Sequence, residues 1–179
     1  NRNLRRGGGS PGTCDLQSGT WYKIPVTSTG IHKLSKDYLT SLGIDVTGFN
    51  PKNIRIYGNG TGMLPEDNQT DVPETLEEAQ ILVQGESDGV FNDADYVLFY
   101  GVGPHVWDYD TTLQFYKHRL NLYSDTAYYF LNVGLGSGKR INTQGQSSSA
   151  SNYTVSTGDL RQFHEKDETN LLQSGKSWL

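Results

Sequence analysis

Short apolar runs separated by turn-prone clusters recur along this chain, and they predict strands. Trp21–Val26 and residues 31–34 read as two strands joined through Ser28, Thr29 and Gly30, so a hairpin is expected. Ser35 then stands where an N-cap belongs, Leu39 and Leu42 follow at helical spacing, and Gly43 is a natural terminator. One short helix over 36–42 is the consequence. Residues 53–57 alternate Ile54 and Ile56 against Arg55 and Tyr57, the pattern of a strand with one buried face. Residues 80–83, 96–100 and 127–133 give the strongest strand signals and are expected at the centre of the sheets. In the last of them Tyr128 and Phe130 face opposite to Tyr129 and Leu131.

The stretches between these runs set the organisation. Residues 1–18 contain the run Gly7 to Gly12 and almost no apolar side chains, as a flexible leader does. Residues 65–78 form an acidic, proline-containing loop, and loops of that length inside compact domains are often functional. Residues 142–152 are rich in Ser, Gln and Gly, with nothing to bury. The expected division is a leader over 1–18, a β-domain over 19–158, and over 159–179 the start of a connection to a downstream domain. Leu171, Leu172, Trp178 and Leu179 are apolar residues of that last segment with no closing turn.

Composition narrows the fold class. With 179 residues the chain can bury a core of its own. Eleven Tyr, 21 Gly and a single Met favour strands and turns over a helical bundle. The expected fold is all-β, a β-sandwich of jelly-roll-like kind with one short helix. Its core is expected to include Ile24, Val26, Ile31, Leu34, Leu39, Ile54, Ile56, Ile81, Val83, Val97, Phe99, Phe130 and Leu131.

Charge and cysteine content remove several function classes. A formal net charge of -5 leaves no basic footprint for nucleic acid outside Arg2, Arg5 and Arg6 in the leader. No apolar run approaches the roughly 20 residues needed to cross a bilayer, so no transmembrane segment is expected. One cysteine, Cys14, excludes an internal disulfide and a cysteine-based zinc cage.

Four constellations carry candidate chemistry. Gly58 to Gly62 follows a strand, but Pro65, Asp67 and Asn68 stand where a dinucleotide-binding helix would begin, so a turn is the better reading. Cys14 could formally pair with His32, His105, His118 or His164. A nucleophile must be held rigidly against its base, however, and Cys14 lies in the leader. Asp88, Asp93 and Asp95, with Asn92 between them, supply enough hard oxygen for calcium, but their order is not that of an EF-hand. A turn whose acids cap backbone amides is favoured over the metal. His105, Trp107 and Tyr109 lie in an Asp-containing loop that could stack a sugar ring or clamp a peptide, unless Trp107 folds back over the end of the sandwich.

Several blocks carry a resemblance to a known family. They are GTWYKI (19–24) with GIHKL (30–34), NIRIYGNG (53–60), DGVF (88–91) with DYVLFYG (95–101), and NLYSDTAYYFL (121–131). His164 and Glu165, NLL (170–172) and SGKSW (174–178) follow in the last segment. In order and spacing these resemble the N-terminal region of PorU-type sortases of the type IX secretion system, gingipain-family cysteine peptidases of Bacteroidetes-type bacteria. That family works at the outer membrane, removing C-terminal sorting signals from cargo and attaching it to the surface. The resemblance implies a secreted protein of the periplasm or outer-membrane cell surface and a multidomain parent. It brings no active site, because the family's catalytic His and Cys lie downstream and no position here matches their motifs.

The expectation is therefore a non-catalytic accessory domain that positions a downstream peptidase domain or docks secretion-system proteins or cargo. It uses no cofactor, calcium at Asp88, Asp93 and Asp95 being the one candidate. A serine triad has no Gly-X-Ser-X-Gly elbow to support it. The rival classes are a carbohydrate-binding module using Trp107 and Tyr109, and an inhibitory pro-segment using the 65–78 loop.

Overall fold

The structure is a computed structural model of the chain and describes residues 16, 19–60, 62–65, 67, 70, 72–73, 75–145, 153–158 and 160–164. The leader, Leu16 excepted, and the apolar residues 171–172 and 178–179 lie outside the described residues. The chain divides into two compact units, Asn1–Ile141 and Asn142–Leu179. Within the second, the described residues form neither helix nor strand.

The first unit is all-β with one short α-helix. Its strands are β1 (Trp21–Val26), β2 (Gly30–Ser35), β3 (Arg55–Tyr57), β4 (Glu78–Ala79), β5 (Leu82–Gln84), β6 (Tyr96–Gly101), β7 (Val106–Asp110), β8 (Phe115–Arg119) and β9 (Ala127–Asn132). They form three antiparallel sheets, β1-β9-β3-β4, β2-β6-β5 and the pair β7-β8. The first two make the sandwich. Ile24, Val26, Ile56, Tyr129 and Leu131 face inward from one sheet, and Leu34, Val83, Val97 and Phe99 from the other, in a single buried cluster.

The helix α1 (Lys36–Ser41) forms where Ser35 caps it, its hydroxyl accepting the Tyr38 N–H at 3.3 Å. Leu39 is its one buried residue, and Gly43, at φ +76°, ends it in the left-handed region that glycine tolerates.

Four expectations need correction. β1 and β2 are not a hairpin: β1 pairs with β9 and β2 with β6, so Ser28 to Gly30 turn the chain from one sheet to the other. The corner is held by the Thr29 hydroxyl, which accepts the Gly103 N–H at 3.0 Å, and by His32 Nε2, which donates to the Ser28 carbonyl at 2.9 Å. Residues 80–83 are not one central strand. The chain passes there from β4, at the edge of one sheet, to β5, at the edge of the other, with Ile81 bridging to Arg140 between them.

Ile31 is not in the core but 75% exposed. In the β2–β6 register it stands outside opposite Tyr100, and His32 takes the inward place, its ring 5.4 Å from Phe99. Phe130 likewise points outward between Lys23 and Tyr57, because the inward positions of β9 belong to Tyr129 and Leu131. A strand has only two faces, so choosing one neighbour for the core sends the next one out. Ile44, Val46, Phe49, Tyr57, Phe91 and Tyr129 complete the buried set.

Two polar ties close the unit. Asn132, buried, donates from its amide to the Thr20 carbonyl at 3.0 Å and accepts the Gly134 N–H at 2.8 Å. The Arg140 guanidinium donates to the carbonyls of Pro51, Lys52 and Ile54 and meets Glu86 at 2.8 Å.

The inner and outer faces differ in a measurable way. Tyr129→Phe removes the hydroxyl that accepts the part-buried Val102 N–H at 2.8 Å and should cost about 1–3 kcal/mol in urea unfolding. Ile31→Ala should change stability by no more than about 0.5 kcal/mol.

Candidate functional site

The sandwich leaves one element outside its core, the β7–β8 hairpin. Its strands exchange backbone hydrogen bonds in the register Val106↔Arg119, Trp107↔His118, Asp108↔Lys117, Tyr109↔Tyr116 and Asp110↔Phe115. Alternation therefore gives it two unlike faces. One carries rings: Trp107 lies 4.8 Å from His118 and Tyr109 lies 4.9 Å from Tyr116, centroid to centroid. The other carries ion pairs: Arg119 Nε meets Asp108 Oδ2 at 2.8 Å and Lys117 Nζ meets Asp110 Oδ2 at 2.6 Å.

The turn over 111–114 is built locally. Asp110 Oδ1 accepts the N–H groups of Thr112 and Leu113, both at 2.9 Å, which is the Asx arrangement that starts a tight turn. Gln114 closes it at φ +54°, the one positive φ at a non-glycine among the described residues. The Asp110 carboxyl is held below the usual carboxylate range, first by the hydrogen bond from Lys117 and then by the Leu113 amide.

His105, Trp107 and Tyr109 thus stand not in a loop but at the base and along one strand of a hairpin. The expected loop is corrected to β7, because Asp108 and Asp110 alternate with the two aromatics on the opposite face of a strand rather than standing in a loop. Trp107 is 40% and Tyr109 51% exposed, so the ring face meets solvent. The ring planes are tilted by 56° and 57° within each pair and offer no single flat platform. His105 sits apart from the two, its Nδ1 accepting the Asn121 N–H at 3.0 Å and its Nε2 lying 3.7 Å from Asp125 Oδ1.

The three aspartates of the 88–95 segment have separate roles. Asp88 accepts the Val90 N–H at 3.0 Å and the Asn92 side-chain amide at 2.8 Å. Asp95, buried, accepts the Asn92 N–H at 2.7 Å, and Gly85, at φ +88°, packs so close that any Cβ would overlap the carboxylate. Asp93 points away to Lys36 Nζ at 2.7 Å while remaining 90% exposed. Hydrogen bonding from Lys36 holds the Asp93 carboxyl below its ordinary range. Among the described residues no three His, Cys, Asp or Glu side chains gather as a metal site would require.

Of the other candidates, Cys14 lies outside the described residues. After β3 no helix follows Gly58 to Gly62 among the described residues. A Cβ on Gly58 would overlap the Tyr129 ring, so packing accounts for that glycine. The base of the 65–78 loop is closed by Asn59, a residue the sequence reading passed over. Its side chain donates to the Thr75 carbonyl at 2.9 Å and accepts the Glu77 N–H at 3.0 Å. An Asn after a strand-ending Gly was the available signal.

Three measurements test these assignments. Asp95→Ala should destabilise the protein by about 1–3 kcal/mol. Calcium or a chelator should leave the Tm of the unaltered protein unchanged, and a calcium-dependent rise would restore the metal reading. Because folding depresses Asp110, its tie is present above about pH 4 and is lost as the pH falls through its folded value. The Thr112 and Leu113 amides should accordingly lose exchange protection in acid, and Asp110→Asn should remove that acid-side loss.

No family model and no curated protein matches the chain. Among solved structures it is similar to dimeric latent PorU from Porphyromonas gingivalis, with 31% sequence identity and a TM-score of 0.53 over 74% of this chain and 11% of that chain. No helix among the described residues is long and apolar enough to cross a membrane. The likeness in both fold and sequence shows that this chain contains a PorU-like region, which spans only a small part of the length of PorU.

Proposed function

We propose that this chain is a non-catalytic accessory region of a larger secreted cysteine peptidase of the PorU type, working at the cell surface in type IX secretion. Its role in this reading is to position the peptidase or to dock secretion partners or cargo, with the β7–β8 hairpin as the contact element. The similarity to one short part of PorU carries the reading, since a region that small lies within a much longer chain. The geometry is compatible with it. A hairpin exposing Trp107 and Tyr109 on one side and two ion pairs on the other offers a contact patch with aromatic anchors and a polar rim.

A second reading, carbohydrate binding, draws on the exposure of Trp107 and Tyr109.

The test is binding of the isolated chain to the remainder of its parent protein and to a glycan array, side by side. Trp107→Ala is expected to weaken protein binding by roughly 30-fold, the loss typical of a hot-spot aromatic, and to leave the array blank. Trp107-dependent glycan binding without protein binding would overturn the proposal. No peptide substrate should be hydrolysed, and Cys14→Ser should change neither fold nor binding, because a thiol needs a rigidly placed base to act. Saturable labelling of Cys14 accompanied by turnover would refute the non-enzyme reading.

A further inference from the structure

His105 stands just before β7, and the connector over 120–126, which joins β8 to β9, holds its imidazole from two sides. The Asn121 backbone N–H donates to Nδ1 at 3.0 Å, and Asp125 Oδ1 lies 3.7 Å from Nε2. A ring nitrogen that accepts an N–H carries no proton, so this hydrogen-bond network assigns a neutral His105 with its hydrogen on Nε2. The next proton must go to Nδ1, the nitrogen whose lone pair is already engaged.

We propose that His105 is a pH-sensitive latch that ties the base of the hairpin to the connector when neutral and releases it when protonated. Protonation sets a ring N–H against the Asn121 N–H, and a part-buried amide loses its acceptor. The charged groups around the ring counter that outcome only weakly. From β8, the His118 ring lies 6.2 Å from that of His105. From the connector, Asp125 attracts the imidazolium, but it is 96% exposed and water screens the attraction. At the same end of the hairpin, Asp108 and Arg119 neutralise each other at 2.8 Å.

Release matters because Asn121 also organises the connector, its side-chain oxygen accepting the N–H groups of Tyr123 at 3.0 Å and Ser124 at 3.2 Å. The latched form binds one proton fewer than the released form. The tie to the Asn121 N–H therefore exists only while Nδ1 carries no proton. The exposed face of Trp107 and Tyr109 is carried by the element so released. The inference stands on this geometry and does not depend on the PorU-type reading.

Nuclear magnetic resonance of the whole chain decides the matter. Long-range nitrogen–proton spectra should show Nδ1 of His105 unprotonated at neutral pH. The Asn121 amide shift should titrate with the His105 ring, and its exchange protection should fall by roughly tenfold in acid after correction for intrinsic rates. In His105→Asn the side-chain oxygen can replace Nδ1 as acceptor without titrating, and the Asn121 response should vanish. A proton on Nδ1 at neutral pH, or an Asn121 amide indifferent to the titration of His105, would overturn the proposal. Both readings come from the unaltered protein, so they hold even if the variant fails to fold.

Discussion

The sandwich depends on one side chain that belongs to both sheets, Tyr129. Its backbone lies in β9, where it pairs with Ile24, while its ring crosses the core to within 5.3 Å of Phe99 on β6. A buried phenol needs a partner for its hydroxyl, and Tyr129 finds it in the Val102 N–H just past β6. That reach is possible only because Gly58 and Gly60 have no side chains. A Cβ on either would run into the ring or its hydroxyl, and Gly60 adopts φ +55° besides. The turn after β3 is thus shaped by a residue some seventy positions later, and the two sheets are fixed by a hydrogen bond as well as by apolar contact.

The hairpin follows the opposite logic. A two-stranded sheet is marginal in water on its own, and β7 and β8 have no residue in the buried core. Cross-strand pairs contribute only about 0.2–1 kcal/mol each, so its placement relies on ties at the base, where His105, Asn121 and the capped turn of the connector meet. The molecule therefore joins a sandwich with a buried core to a surface element that adds no residue to that core. Such a division suits a surface that must meet other molecules, because the low-stability parts of a protein are the ones free to adjust.

Much of the sandwich was legible in the sequence because alternation and capping act locally. Ser35, Leu39 and Gly43 mark the helix through hydrogen bonds and conformations set within a few residues. What alternation cannot supply is which face of a strand turns inward: Ile31 and Phe130 look as suitable for burial as His32 and Tyr129 until the register with β6, β1 and β3 is known. The same lack of partners made the turn after β1 resemble a hairpin and merged β4 with β5. In the hairpin the cue was present, since Trp107 and Tyr109 alternate with aspartates. A strand exposed on both faces looks polar, however, and reads as loop. The aspartates of the 88–95 segment were countable, but whether they converge is decided by Lys36, a residue from another element.

The pairing of β1 with β9 places the first strand of the sandwich against the last. Until Ala127–Asn132 has been synthesised, Trp21–Val26 has no backbone ladder to join, and Ile24 and Val26 lack the Tyr129 and Leu131 side of their core. Completion waits longer still, for Arg140 to reach the carbonyls of Pro51, Lys52 and Ile54. A chain made from its N-terminus must therefore carry this strand unpaired until β9 has been made. Non-local strand pairing of this kind is slow and leaves apolar edges open meanwhile. The sandwich can close only once its last strand is available to its first.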